Sequence, residues 1–184
     1  MIRPVLLLPL GLATLAVLLA PLPLAAQQRG QAARGQAAGT AFEIGKAGAW
    51  GIFTSGEGRS RSCFVMAQPA ERLPRGLDRD PAHVFVTMRQ GEASKLEFST
   101  LTGYPLKPGV DPQLSVGNSS FAGVSQNKTI WLKNPAEENR LIAELRRGGS
   151  LQVKGTSLRG NDTTDRYPLT GFAQALERAQ RECS

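Results

Sequence analysis

The chain has 184 residues, 41% hydrophobic and 20% charged, with 22 lysines and arginines against 15 acids and a net charge of +7. That is too apolar for a disordered chain and long enough for one domain with a real core. The basic residues are scattered, with only Arg146 and Arg147 adjacent, so the charge reads as a solvated surface with a weak electrostatic attraction to anionic membranes, and specific nucleic-acid binding is not expected.

Residues 1–26 read as a secretory signal peptide. Arg3 precedes an uncharged run over 5–20, and small residues lead to an exit after Ala25 or Ala26. An uncleaved anchor is the alternative, opposed by Pro9, Gly11, Pro21 and Pro23. No cysteine follows the run, so lipoprotein processing has nothing to modify. Cleavage would leave 21 basic against 15 acidic side chains, a net charge of +6. Residues 27–40 lack large apolar side chains and read as a flexible leader, and 41–184 as one domain.

In that domain the dominant period is two. Val84, Val86 and Met88 alternate with His83, Phe85 and Thr87, and Leu96, Phe98 and Thr100 with Lys95, Glu97 and Ser99. Further strands are expected over 49–54, 62–67, 113–116, 121–125, 129–132, 151–157 and 166–169, separated by turns such as Ser55-Gly56-Glu57-Gly58 and Gly160-Asn161-Asp162. Eight or nine short strands predict an all-β, antiparallel sandwich.

Two segments break this rhythm. Asn134 as N-cap, Pro135 at the first position, Glu137 and Glu138 early, Arg146 and Arg147 late and Gly148 as stop predict a helix over 135–147 with Leu141, Ile142 and Leu145 inward. A second is expected over 171–183, where Phe172, Leu176, Ala179 and Cys183 share a face. Cys63 falls in an early strand and Cys183 on that inner face, so the even pair of an exported chain is expected to form one disulfide. A redox-active thiol pair is the sharper alternative, but the Cys-x-x-Cys spacing is absent.

Ala49-Trp50-Gly51-Ile52-Phe53-Thr54, Cys63-Phe64-Val65-Met66, Arg79-Asp80-Pro81, Gly103-Tyr104-Pro105 with Lys107-Pro108-Gly109, Trp131-Leu132, Val153-Lys154-Gly155-Thr156-Ser157 with Arg159-Gly160, and Thr163-Thr164-Asp165-Arg166-Tyr167 follow one another in order. With the closing helical segment, this succession resembles the bacterial invasion-associated locus B family over nearly all of 49–183. The resemblance implies an exported protein with an immunoglobulin-like β-sandwich and brings no established biochemical activity. Some members carry a further cysteine where this chain has Thr54, so a second bridge is not implied here.

No catalytic motif stands out. His83 is the sole histidine and lacks neighbouring ligands, which favours an ordinary strand residue over a metal site. Asp162 and Asp165, with Ser157 and Thr163, fit neither a calcium loop nor a hydrolase site, and Ser157 lacks a nucleophile elbow. Asn118, Asn127 and Asn161 begin glycosylation sequons, which the bacterial resemblance turns into turn residues. Gly103, Tyr104 and Pro105 form either an exposed recognition loop or a turn with Tyr104 packed on the sandwich, and Arg159, Asp162 and Asp165 complete the candidate binding loops. Trp50 and Trp131 are expected in the core or on a sheet face.

The expectation is therefore an exported, non-enzymatic envelope protein without a cofactor, acting on an unknown protein or envelope-surface partner in the periplasm or outer envelope. A surface-exposed adhesion or invasion factor and an envelope enzyme of unknown class are the alternatives.

Overall fold

The computed structural model describes residues 40–184. The expected signal segment 1–26, and the leader 27–40 apart from its last residue, lie outside the described residues. Eleven strands and two helices follow in the order β1 (Ala41–Ala47), β2 (Trp50–Ser55), β3 (Ser62–Ala67), β4 (Glu71–Leu73), β5 (His83–Arg89), β6 (Glu97–Leu101), β7 (Gln113–Val116), β8 (Ser119–Gln126), β9 (Thr129–Leu132), α1 (Glu138–Arg147), β10 (Ser150–Thr156), β11 (Asp162–Pro168) and α2 (Phe172–Glu182). Every pairing is antiparallel, in the lateral order β1-β2-β3-β5-β6-β9-β8-β7-β10-β11-β4.

The ribbon folds into a sandwich because β8 serves both layers. Its residues 119–122 pair with β7, and its residues 123–126 pair with β9. The partner changes at Gly123, whose amide donates to Pro112 O at 2.7 Å. One layer is thus β1-β2-β3-β5-β6-β9, and the other is β7-β10-β11-β4.

The inner faces follow the alternation legible in the sequence. Val84, Val86 and Met88 of β5 and Phe98 and Thr100 of β6 point inward, against Leu114, Phe121, Leu151 and Tyr167 of the other layer. Burying each such aliphatic or aromatic side chain contributes about 1.5–3 kcal/mol. Trp50 is fully buried, with Phe172 edge-on at 4.7 Å and its Nε1 donating to Pro168 O at 3.0 Å. Trp131 is half-buried on the outer face.

Both helices form where expected. Asn134 accepts from the Ala136 amide at 3.1 Å, but the first turn, Pro135–Glu137, is a 3-10 turn and α1 proper begins at Glu138. In α2, Phe172, Leu176 and Ala179 are fully buried, as is Cys183 just beyond its end. Gly171 opens α2 at φ +90°, and a Cβ there would lie 2.1 Å from Ala47 O in the β1–β2 turn, so no other residue fits. Cys183 forms a disulfide with Cys63 of β3, with Cα atoms 5.9 Å apart. Among the described residues no helix is long and apolar enough to cross a membrane.

Two strands lie outside the sequence reading. β1 is an edge strand whose alternation is broken by a bulge between Glu43 and Gly45, and β4 is only three residues long. The last strand begins at Asp162 rather than at 166. Asp162 and Asp165, expected in a loop, therefore belong to β11, because both lie in continuous register with β10, opposite Thr156 and Val153.

Candidate functional site

A cleft of about 260 Å³ opens at one end of the sandwich. Four connections build it: residues 77–80 between β4 and β5, residues 103–105 after β6, Lys128 in the β8–β9 turn, and residues 157–161 between β10 and β11. Their floor is held by Asp165, whose side chain is only 4% exposed.

Two guanidiniums converge on Asp165 Oδ1. Arg72 Nε donates at 3.1 Å from the opposing position on β4, and Arg79 donates a terminal N–H at 3.3 Å from the cleft wall. Arg72 also donates to Asp80 O at 2.8 Å and Thr102 O at 2.7 Å, so one side chain ties β11, the 77–80 segment and the end of β6 together. Arg79 is 6% exposed and reaches Pro74 O at 3.1 Å, while its buried Nε has no hydrogen-bond partner among the described residues.

The 103–105 segment is locked in by its backbone. Gly103 has φ +76°, and a Cβ would lie 2.1 Å from Asp80 O. Its carbonyl accepts from the Asp80 amide at 3.0 Å. Tyr104 then turns inward and is 8% exposed. Its hydroxyl bonds to the Thr163 hydroxyl, which in turn donates to Gly155 O at 3.0 Å. Burial pushes the Tyr104 hydroxyl above its usual range. Of the two arrangements expected for this segment, Tyr104 takes the one with its ring packed on the sandwich, because Gly103 allows the chain to double back against Asp80. Pro105 O accepts from the Leu158 amide at 2.9 Å, which sets this segment beside the β10–β11 turn.

The rim carries the exposed charges. Lys128 Nζ donates to Asp80 Oδ2 at 2.7 Å, and that bond together with the lysine charge lowers the Asp80 pKa. Asp78 and Arg159 line the cleft and have no ion pair among the described residues, and Leu158 stands 60% exposed beside them. Ser157 Oγ accepts from the Asn161 amide at 3.0 Å.

The sequence-derived candidates divide accordingly. Gly103, Tyr104, Pro105 and Arg159 meet in the cleft, and Asp165 lies beneath it as a buried counter-ion. Asp162 is turned away: its carboxylate accepts from Thr156 Oγ1 at 2.7 Å and lines a separate shallow groove with Asp111 and Lys154. Cys63 and Cys183 lie elsewhere, in the core between β3 and α2. Arg72, Arg79 and Lys128 complete the site and were not singled out as site residues in the sequence; an arginine pair matched to one aspartate is visible only once the strand register is known. His83 does not line the cleft. Its Nε2 lies 3.1 Å from Gln68 Nε2, and burial, then Arg72, lowers its pKa. Among the described residues no group of three or more His, Cys, Asp or Glu is placed to hold a metal ion.

No protein-family model matches the chain, and no curated protein matches it in sequence. Among solved structures, the chain is similar to the crystal structure of invasion associated protein B from Bartonella henselae, at a TM-score of 0.56 and 16% identity, covering 75% of this chain and 96% of that one. The two proteins share a fold, an antiparallel β-sandwich with a C-terminal helix in this chain.

Proposed function

We propose that this is an exported envelope protein of the invasion-associated locus B type, which acts by binding a protein or envelope surface and not by catalysis. The observation that carries the reading is the fold it shares with nearly the whole of the Bartonella henselae protein, on top of the motif succession in the sequence. A buried disulfide closing a loop of 120 residues supports an oxidising compartment. The state of the polar groups supports binding over chemistry. Asp165 is held between two guanidiniums, the Ser157 hydroxyl already accepts from Asn161, and the histidine lies outside the cleft.

The test is protease shaving of intact cells, with a known periplasmic protein as the leakage control and an antibody to residues 41–184 as readout. Loss of the domain from intact cells gives a surface-exposed factor; protection until the outer membrane is opened gives a periplasmic one. Recovery in the cytosol with reduced cysteines would overturn the export reading.

A further inference from the structure

The cleft at the end of the sandwich is electrostatically incomplete. Arg72 and Arg79 share one carboxylate oxygen of Asp165, so this triad carries one uncancelled positive charge. Arg72 spreads its remaining bonds over two carbonyls. Arg79, the member that lines the cleft, has one carbonyl and a buried Nε without a partner among the described residues. A cation only 6% exposed is costly unless an anion or further acceptors compensate it. Nearer the mouth, Lys128 is cancelled by Asp80, while Arg159 and Asp78 stand exposed with no ion pair among the described residues. Four cations therefore face three carboxylates.

Size and mixed sign narrow what fits. At about 260 Å³ the cleft lies below the roughly 300–1,000 Å³ of pockets that enclose a whole small molecule, so it takes one part of a larger ligand. A dense anionic surface would gain from Arg159 but would meet Asp78 and Asp80 at the same mouth. A polypeptide supplies each complement: a carboxylate for the cations, backbone N–H groups for Asp78, and an apolar side chain for the aliphatic rim. That rim is Leu158, 60% exposed, with half-buried Leu77 and exposed Pro105 on the same cleft. Main-chain bonds from the Leu158 amide to Pro105 O and from the Asp80 amide to Gly103 O hold the walls in place before any ligand arrives.

We propose that the cleft binds an extended segment of a partner protein through one carboxylate, set among Arg79, Lys128 and Arg159, with a neighbouring aliphatic side chain on Leu158. This rests on the binding reading above and names the chemistry of its site. The carboxylate belongs to an acidic side chain or to a chain end. It supplies the missing negative charge, and Arg159, which has no other partner among the described residues, closes on it. Asp78 and the pair Lys128 with Asp80 keep the mouth close to neutral, which favours a single carboxylate over a polyanion.

The test is a titration of the 15N-labelled product of the full-length gene, purified as the cell processes it, followed through backbone amide shifts. The probes are a blocked peptide with leucine beside glutamate, its glutamine analogue, and a peptide ending in leucine with a free terminal carboxylate. At least one carboxylate peptide should shift the amides of residues 77–80, 103–105 and 157–161. It should bind about tenfold more tightly than the glutamine analogue, an advantage that fades as salt is raised. Which of the two binds identifies side chain or chain end as the source. Arg159→Glu, at an exposed position, should remove the preference for a carboxylate with melting little changed, and Leu158→Ser should weaken every peptide alike. No shift at these amides, equal binding of the glutamine analogue, or a preference untouched by Arg159→Glu overturns the inference and leaves the binding reading standing. So does binding of phosphatidylglycerol vesicles through these residues in preference to peptide, which would assign the cleft to lipid. A peptide held through its carboxylate but recovered cleaved would keep the contact and overturn the non-catalytic reading instead.

Discussion

Replacing Asp165 by asparagine tests the electrostatic logic of the cleft floor with little change of shape. At an effective dielectric of about 20, charge centres about 4 Å apart attract by about 4 kcal/mol, and Asp165 faces two guanidiniums. Much of that attraction is offset by the desolvation of a carboxylate and an arginine that are 4% and 6% exposed. The net effect of removing the anion is governed by what the cations are left with. Arg72 keeps the carbonyls of Asp80 and Thr102; Arg79 keeps only Pro74 O and stays buried. An uncompensated buried charge costs about 3–5 kcal/mol. Asparagine retains an acceptor oxygen, so Asp165→Asn should cost about 2–3 kcal/mol and Asp165→Ala about 4 kcal/mol. Urea unfolding measures both. Arg79→Met in the Asp165→Asn background should recover part of the loss, since it removes the stranded cation. If Asp165→Asn unfolds within about 0.5 kcal/mol of the parent, the carboxylate is not what holds the four connections together.

Three further outcomes follow from the same structure. Cys63→Ala with Cys183→Ala should lower the unfolding free energy by about 4–5 kcal/mol, the chain-entropy value for a loop of 120 residues, and the parent should yield no reactive thiol before reduction; thiol titration and denaturant curves check the two halves. Gly103→Ala should destabilise by about 2 kcal/mol or more, because alanine at φ +76° is strained and its Cβ meets Asp80 O, and calorimetry against Gly91→Ala, which has open space at a similar φ, separates clash from strain. The pKa of His83 is depressed in the fold, so protonation favours the unfolded chain: stability should be full above the unfolded value of 6.5 and fall as pH drops through it toward the folded value. Unfolding curves for His83→Gln should lack that slope; an equal slope in the variant would assign it to other groups.

What the sequence made legible was what short-range physics determines. β5 and β6 announce themselves because one of their faces is buried, which forces apolar side chains to recur at every second position, at Val84, Val86 and Met88 and again at Phe98 beside Glu97 and Ser99. α1 is visible in Asn134 and Pro135, since a helix N-terminus must satisfy its own amides locally. β1 was hidden for the opposite reason. It is an edge strand with Phe42 63% exposed and a bulge that breaks its period. β4 was hidden because its three residues are held by long-range partners, Arg72 by Asp165 and Glu71 by Arg166. The cleft shows the same division. Its turns could be read from Gly, Pro and Asn, but whether Tyr104 faces water or Thr163 depends on the pairing of β10 with β11, more than fifty residues away.

The placement of the disulfide follows from the unequal layers. The larger layer extends through β3 and β2 to β1, beyond the reach of the strands opposite, and would leave Trp50, Ile52 and Val65 in water on its inner side. α2 covers them, lying on β2 and β3 with Phe172, Leu176 and Ala179 facing inward. A helix of eleven residues is marginal alone in water and depends on what it packs against. The bond from Cys183 to Cys63 ties the C-terminal end of α2 to β3. The bridge thus completes the inner core at the layer's widest side, where no strand of the other layer reaches.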